Sequence, residues 1–281
     1  MRVLSIQSQT VLGHVGNSAA AFALQRLGVE ALALPTTIYS HHPGRGGHKG
    51  RALAGEEIDA LMDGLGDQRA LDGCDAVLSG YLPQAASGEA VLRAIARVRA
   101  ANPNAFYCCD PVLGDDPKGL YVPADVAALI RDRLVDESEV LTPNCFELGW
   151  LTGRNVSMPA TIFAAAKPLV EKKPRFVLVT SVPTSDRTLG LMLVTPDGAW
   201  IAATPKRIFK EQPSGAGDLT AAVFLAHLLK SQDPVAALSA TAGSVYAVIA
   251  ATLPGEKELA LVTAQAAMVT PATSFPVEKI A

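Results

Sequence analysis

The chain has 281 residues, with 24 Lys and Arg against 27 Asp and Glu, a formal net charge of -3. No basic excess points to nucleic acid or an anionic membrane, although a small cationic patch can still serve a phosphate. Hydrophobic residues make up 49% and charged residues 18%, a globular balance that excludes a disordered chain.

The opening run MRVLSIQSQTVLG lacks a charged region followed by a long apolar one, and no stretch of 18 apolar residues occurs. A soluble, cytoplasmic chain is expected. Val3 to Gln7 reads as a strand, and Gly13-His14-Val15-Gly16-Asn17 punctuates before a helix over 18–27 that Gly28 ends. Val29 to Pro35 is a second strand. Ser40 to Arg51, dense in Gly and His and without a period, is expected to be a mobile surface loop. A helix over 56–65, a strand over 75–80 and a helix over 89–101 follow. Ala105 to Cys109 reads as a strand ending in Asp110-Pro111, and Val140 to Pro143 and Phe176 to Ser181 repeat the theme. Cys74, Cys108, Cys109 and Cys145 form no C-x-x-C pair and read as small buried side chains.

Apolar strands that end in Asp, Thr or Ser and alternate with helices imply a mostly parallel central sheet with helices on both faces. In such sheets the carboxyl ends of the strands carry the ligand site. Residues 191–194 and 200–203 form a hairpin about Pro196-Asp197-Gly198, and Ala-rich helices over 217–230 and 234–251 close the chain. No repeat, linker or composition break divides residues 1–281, so one domain is expected.

Two constellations carry chemistry. In Pro213-Ser214-Gly215-Ala216-Gly217-Asp218, two glycines let consecutive N–H groups converge at the start of an apolar helix, where the helix dipole favours an anion. Asp218 is placed to take a proton from a hydroxyl attacking that anion. The bland alternative, that Ser214 or Asp218 merely caps the helix, stands equally on spacing alone. The segment is neither a Walker loop nor a dinucleotide fingerprint. The second constellation joins Asp110 and Asp115 after one strand to Thr142, Asn144 and Glu147 after another. These are oxygen ligands suited to Mg²⁺, while the N-x-x-E spacing also suits a capping box. His227 reads as a packed helix residue, and His41, His42 and His48 as solvated loop residues. Ser8 and Tyr81, each at a strand end, are open to ligand or to turn and core roles.

Together these segments resemble the ribokinase superfamily and, within it, the pyridoxal kinases. The carriers are Gln7-Ser8, Gly13-His14-Val15-Gly16-Asn17, Ser79-Gly80-Tyr81, Asp110-Pro111-Val112-Leu113-Gly114-Asp115, Tyr121, Thr142-Pro143-Asn144, Glu147, Thr180-Ser181 and Gly215-Ala216-Gly217-Asp218. The resemblance implies a ribokinase-like α/β fold and transfer of the γ-phosphate of ATP to the 5′-hydroxyl of pyridoxal, pyridoxine or pyridoxamine. It casts Asp218 as base, Gly215, Ala216 and Gly217 in the anion hole, and Ser8 and Tyr81 on the substrate ring. Asp110, Asn144, Glu147, Thr180, Ser181 and Tyr121 would serve ATP and its Mg²⁺. Asp115, Thr142 and Glu147 would hold metal, with Asp115, Thr142 and Thr180 resembling ligands for K⁺. A homodimer is implied as well.

The departure lies in the loop over 40–50. There the family has an Asn-His-Thr-x-Tyr run and a later Trp, whereas this chain has His41-His42-Pro43-Gly44-Arg45 and His48. The alternatives kept open are a kinase for another hydroxymethyl-bearing ring, such as hydroxymethylpyrimidine, and a non-catalytic vitamin-B6 binder.

Overall fold

The protein is described from a computed structural model covering residues 1–172 and 176–281. Strand β1 (Arg2–Thr10) leads through the Gly13–Gly16 turn into α1 (Asn17–Arg26), then β2 (Glu30–Tyr39) and the short β3 (Gly50–Ala52). Helix α2 (Gly55–Asp67), β4 (Ala76–Ser79), α3 (Ala85–Ala101) and β5 (Phe106–Cys109) follow. A small hairpin, β6 (Gly114–Asp115) and β7 (Gly119–Leu120), precedes α4 (Ala124–Leu129), a π-helical turn and α5 (Val135–Glu137). Next come β8 (Val140–Leu141), α6 (Cys145–Thr152), α7 (Pro159–Lys172), β9 (Phe176–Ser185), β10 (Thr188–Thr195) and β11 (Gly198–Pro205). Helices α8 (Ala216–Ser231), α9 (Pro234–Ala251) and α10 (Gln265–Val269) and strand β12 (Val277–Lys279) end the chain.

Ten strands form one sheet in the order β12-β11-β10-β9-β8-β5-β4-β1-β2-β3. The six from β9 to β2 run parallel, and β3, β10, β11 and β12 add antiparallel edges. The parallel strands are largely apolar because side chains alternate between two covered faces, with Ser5 and Gln7 of β1 buried among them. Leu4, Ile6, Val77, Cys109, Leu141 and Val177 enter the core beneath α2, α3, α6 and α7. Val3, Leu78, Cys108, Val140 and Leu178 point to the other core, beneath α1, α8 and α9. Cys74, Cys108 and Cys109 are buried free thiols, as their sequence context implies, whereas Cys145, at the start of α6, is only partly buried.

Several boundaries differ from the sequence expectation. Strand β2 continues through Pro35 to Tyr39, because parallel pairing with β1 extends to Thr10 beyond a register shift at Gln7/Gln9. The loop after β2 is more built than its composition suggests. It contains a 3₁₀ turn over Pro43–Arg45, then pairs Gly50–Ala52 with Thr37–Tyr39 as β3. Helix α7 and strand β12 were not read from the sequence at all. Helix α9, apolar enough by composition to cross a membrane, buries Leu238, Ala242, Val245 and Val248 in the second core.

Candidate active site

Register brings the strand ends into one row. Ile6 pairs with Ser79, Ser79 with Cys109 and Cys109 with Leu141, so Gln7, Gly80, Asp110 and Thr142 follow side by side at the carboxyl edge. Gly80 is a glycine because a Cβ there would meet the Gln7 side-chain oxygen at 2.4 Å. Ser8 lies at the same edge, nearly buried at 8% exposure, with Gly16 packed directly on it. Tyr81 is half-buried, its carbonyl accepting the Thr36 hydroxyl at 2.8 Å, and burial raises its phenol pKa.

The carboxylates converge. Asp110 is held well above its usual range, first by burial and then by the charges of Glu147 and Asp218. Glu147 is pushed up to about 7 by burial, against the pull of N–H groups that its carboxylate accepts. Those donors are Leu113 at 2.8 Å and Asn144 at 2.9 Å, with Gly114 at 3.5 Å. Asn144 caps α6 by accepting from Glu147 N, and the capping box foreseen in N-x-x-E is present. Its amide also donates to Gly114 O at 2.9 Å, so both ends of that side chain hold the β6 turn against α6. Capping and clustering coexist in these residues.

Thr142 is buried beside Asp110, and its hydroxyl favours the charged form of that carboxylate against burial. Among the described residues no three His, Cys, Asp or Glu side chains form a ready metal cage. Mg²⁺ rarely asks for one. It keeps waters and takes one or two carboxylates together with substrate phosphates, and the oxygen donors Asp110 and Glu147 fit that pattern. Asp115 is exposed on β6, and Tyr121 sits beyond β7 with 45% of its surface exposed, its phenol pushed up to about 12 by the covered part of the ring and by Asp115 and Glu147.

Across from the carboxylates, Gly215 (φ 94) opens α8 with no side chain capping the helix. A Cβ on Gly215 would lie 1.8 Å from His14 O, so the backbone can pass only as glycine. Gly217, by contrast, faces open space. Burial raises the Asp218 pKa, and the nearby backbone N–H groups of Gly16 and of Asp218 itself pull it back down.

Beside this helix start lies a cavity of about 170 Å³, lined by Thr180, Ser181, Ala216 and Gly217 and walled by Val245, Tyr246 and Ile249 of α9. Thr180 and Ser181 reach it through a bulge. Gly190 pairs with Val182 and Met192 with Val179, leaving an extra residue on β9, and Ser181 adopts φ 56. Asp110, Asn144, Glu147 and Tyr121 lie outside this cavity wall, on the acidic side of the cleft. The α9 wall and the segment Thr204–Arg207 were missed by sequence reasoning, since apolar helix residues and a loop carry no motif.

A model of the phosphomethylpyrimidine kinase family matches residues 22–262. A pyridoxal kinase of Rubrobacter xylanophilus is 43% identical over 286 residues, covering 100% of this chain and 98% of that protein. The chain belongs to the pyridoxal kinase family. A second relative, the pyridoxal kinase of Leifsonia xyli subsp. xyli, is 42% identical over 284 residues, with 100% of both chains covered. Among solved structures, the pyridoxal kinase of Leishmania donovani in complex with ADP and pyridoxamine superposes with a TM-score of 0.91 at 27% identity, covering 100% of this chain and 99% of that one. The α/β architecture, mostly parallel with helices on both faces, is thus the fold of this kinase family.

Proposed function

We propose that this chain transfers the γ-phosphate of ATP to the 5′-hydroxyl of pyridoxal, pyridoxine or pyridoxamine. The observation that carries the reading is Asp218 at the uncapped start of α8, facing the acidic cluster of Asp110 and Glu147, in a chain 43% identical to a pyridoxal kinase along its whole length. Relatives of known structure are described with ADP and pyridoxamine, which supports a nucleotide and a B6 vitamer as the two substrates.

Phosphoryl transfer asks mainly for positioning and electrostatic stabilisation. The vitamer hydroxyl gives its proton to Asp218 as its oxygen bonds the γ-phosphorus, and the bond to the β-phosphate oxygen breaks to release ADP. Burial raises the Asp218 pKa toward the operating range of a general base. The N–H groups of Ala216 and Gly217 meet the charge on the transferring group, and the dipole of α8 adds to them. Thr180 and Ser181 face the nucleotide, with the apolar residues of α9 walling the same cavity. Ser8 and Tyr81 hold the pyridine ring. Asp110 and Glu147 would hold Mg²⁺, which when bound would neutralise phosphate charge, and Asp115, Thr142 and Thr180 are proposed for K⁺. A homodimer working in the cytoplasm is carried over from the family resemblance.

The test is ADP release with MgATP and a panel of pyridoxal, pyridoxine, pyridoxamine and hydroxymethylpyrimidine. Turnover on a B6 vitamer that exceeds the pyrimidine supports the reading. Turnover on hydroxymethylpyrimidine alone, or on nothing while a vitamer still binds, replaces it.

A further inference from the structure

The loop over 40–50 departs from the family pattern, yet it is not left loose. Its 3₁₀ turn is closed by His42, which accepts from Gly44 N at 3.2 Å, and His41 Nε2 bonds Gly46 O at 2.9 Å. Ser40 and Lys49 are joined across its neck, and His48 packs edge-on against Tyr39 with ring centroids 4.8 Å apart. Its tip is held from outside. Arg45 donates to the carboxylate of Glu258, with side-chain exposures of only 26% and 21%.

Glu258 has three attachments, and each lies at a different part of the site. Its backbone bridges Ser214, the residue before the glycine that opens α8. Its second carboxylate oxygen accepts the N–H of His14 at 2.9 Å, in the turn that sets Gly16 beside Asp218. A Cβ on Gly13 would sit 2.3 Å from this carboxylate, so that glycine makes room for it. The segment carrying Glu258 runs along the approach to α8, with Lys210 N bonded to Pro254 O at 3.0 Å and Lys257 paired to Glu211 at 3.0 Å.

We infer that Glu258 is a positioning residue that latches the 40–50 loop, through Arg45, to the two turns that carry Asp218 and the anion hole. Charge replaces the aromatic contact expected at position 45, and the loop is held closed from the C-terminal segment instead of from the ligand. Resting on the B6-kinase reading, this makes vitamer affinity depend on the fraction of molecules with the latch formed, since apparent affinity falls with the competent fraction.

Three variants test it. Arg45→Ala and Glu258→Gln, the latter still able to accept from His14, each raise KM for pyridoxal roughly 3- to 10-fold and leave kcat within about twofold, as loss of a half-buried ion pair implies. KM for ATP stays put. The double variant is no worse than either single one. Raising NaCl from about 0.05 to about 0.5 M lifts the wild-type KM for pyridoxal and leaves that of Arg45→Ala unmoved. A direct contact of Arg45 with the vitamer predicts instead that Glu258→Gln tightens or leaves KM, which would overturn the latch.

A readout independent of turnover accompanies these. Tryptic cleavage after Lys49, followed by intact mass, is several-fold faster in Glu258→Gln than in wild type. Equal cleavage rates overturn the latch even if the enzyme is active. Faster cleavage in a protein that turns over no vitamer keeps the latch and defeats the substrate reading.

Discussion

The backbone N–H of Gly16 faces the carboxylate of Asp218 and favours its charged form against burial, setting the first strand–helix turn beside the start of α8. The proposed base is therefore oriented by a backbone group, which has no rotamer to lose, and Gly16 itself rests on Ser8 at the proposed ring site. Substrate side and phosphate side share one rigid joint.

Asp218→Asn keeps the shape of that joint and removes the base. Turnover is expected to fall about 10²- to 10⁴-fold. ATP affinity, read by calorimetry, is expected to stay within about twofold. Near-normal kcat would reassign the proton acceptor.

The two glycines at α8 should separate by what they lack. Gly215→Ala puts a Cβ against His14 O in a left-handed backbone, and the expected result is a protein that melts several degrees lower or does not fold. Gly217→Ala meets nothing, so its melting temperature is expected to match wild type within about 2 °C while kcat drops at least roughly tenfold through crowding of the phosphate. Equal activity in Gly217→Ala would move the anion site elsewhere.

Glu147 titrates near 7 in the folded state against a usual value of 4.5, so the folded protein binds more protons than the unfolded chain between those values. Its contribution to stability is then greatest at low pH and is lost as pH rises from about 4.5 to about 7. Asp110, raised for the same reasons, acts in the same direction. Melting curves of the ligand-free protein should show this slope, and Glu147→Gln should flatten it by roughly 5 °C across the window. Mg²⁺ with nucleotide should restore more stability at pH 8 than at pH 5, because only the ionised carboxylates bind it. A slope identical in wild type and Glu147→Gln would assign the titration to another group.

Tyr81→Ala removes a half-buried ring at the carboxyl edge while leaving the Thr36 contact, which goes to the backbone. KM for pyridoxal is expected to rise roughly fivefold, with KM for ATP unchanged, as loss of one ring contact of about 1 kcal/mol implies. A change confined to ATP would place Tyr81 on the nucleotide.

Much of this was legible in residue order. The alternation of apolar strands with helices, the polar residues closing Ser79, Cys109 and Leu141, and the glycines before Asp218 are local patterns, and local patterns survive without tertiary information. The capping box of Asn144 and Glu147 was equally visible, because four consecutive residues contain it. Helix α7 escaped because Pro159 opens it and Pro168 lies inside it, and proline reads as a breaker. Strand β12 escaped because three residues carry no period, and only β11 makes them a strand.

The sequence by itself determined the parallel core, the glycine-opened start of α8 and the family. Tertiary structure alone decided that Asp110 feels the charges of Glu147 and Asp218, that a bulge turns Thr180 and Ser181 into the cavity, and that Glu258 holds Arg45 and His14 together. Each of these depends on a register or a packing distance between segments far apart in the chain. Charge and hydrogen bonding act over a few ångströms of space, and residue spacing along a sequence measures that distance only within one strand or one helix.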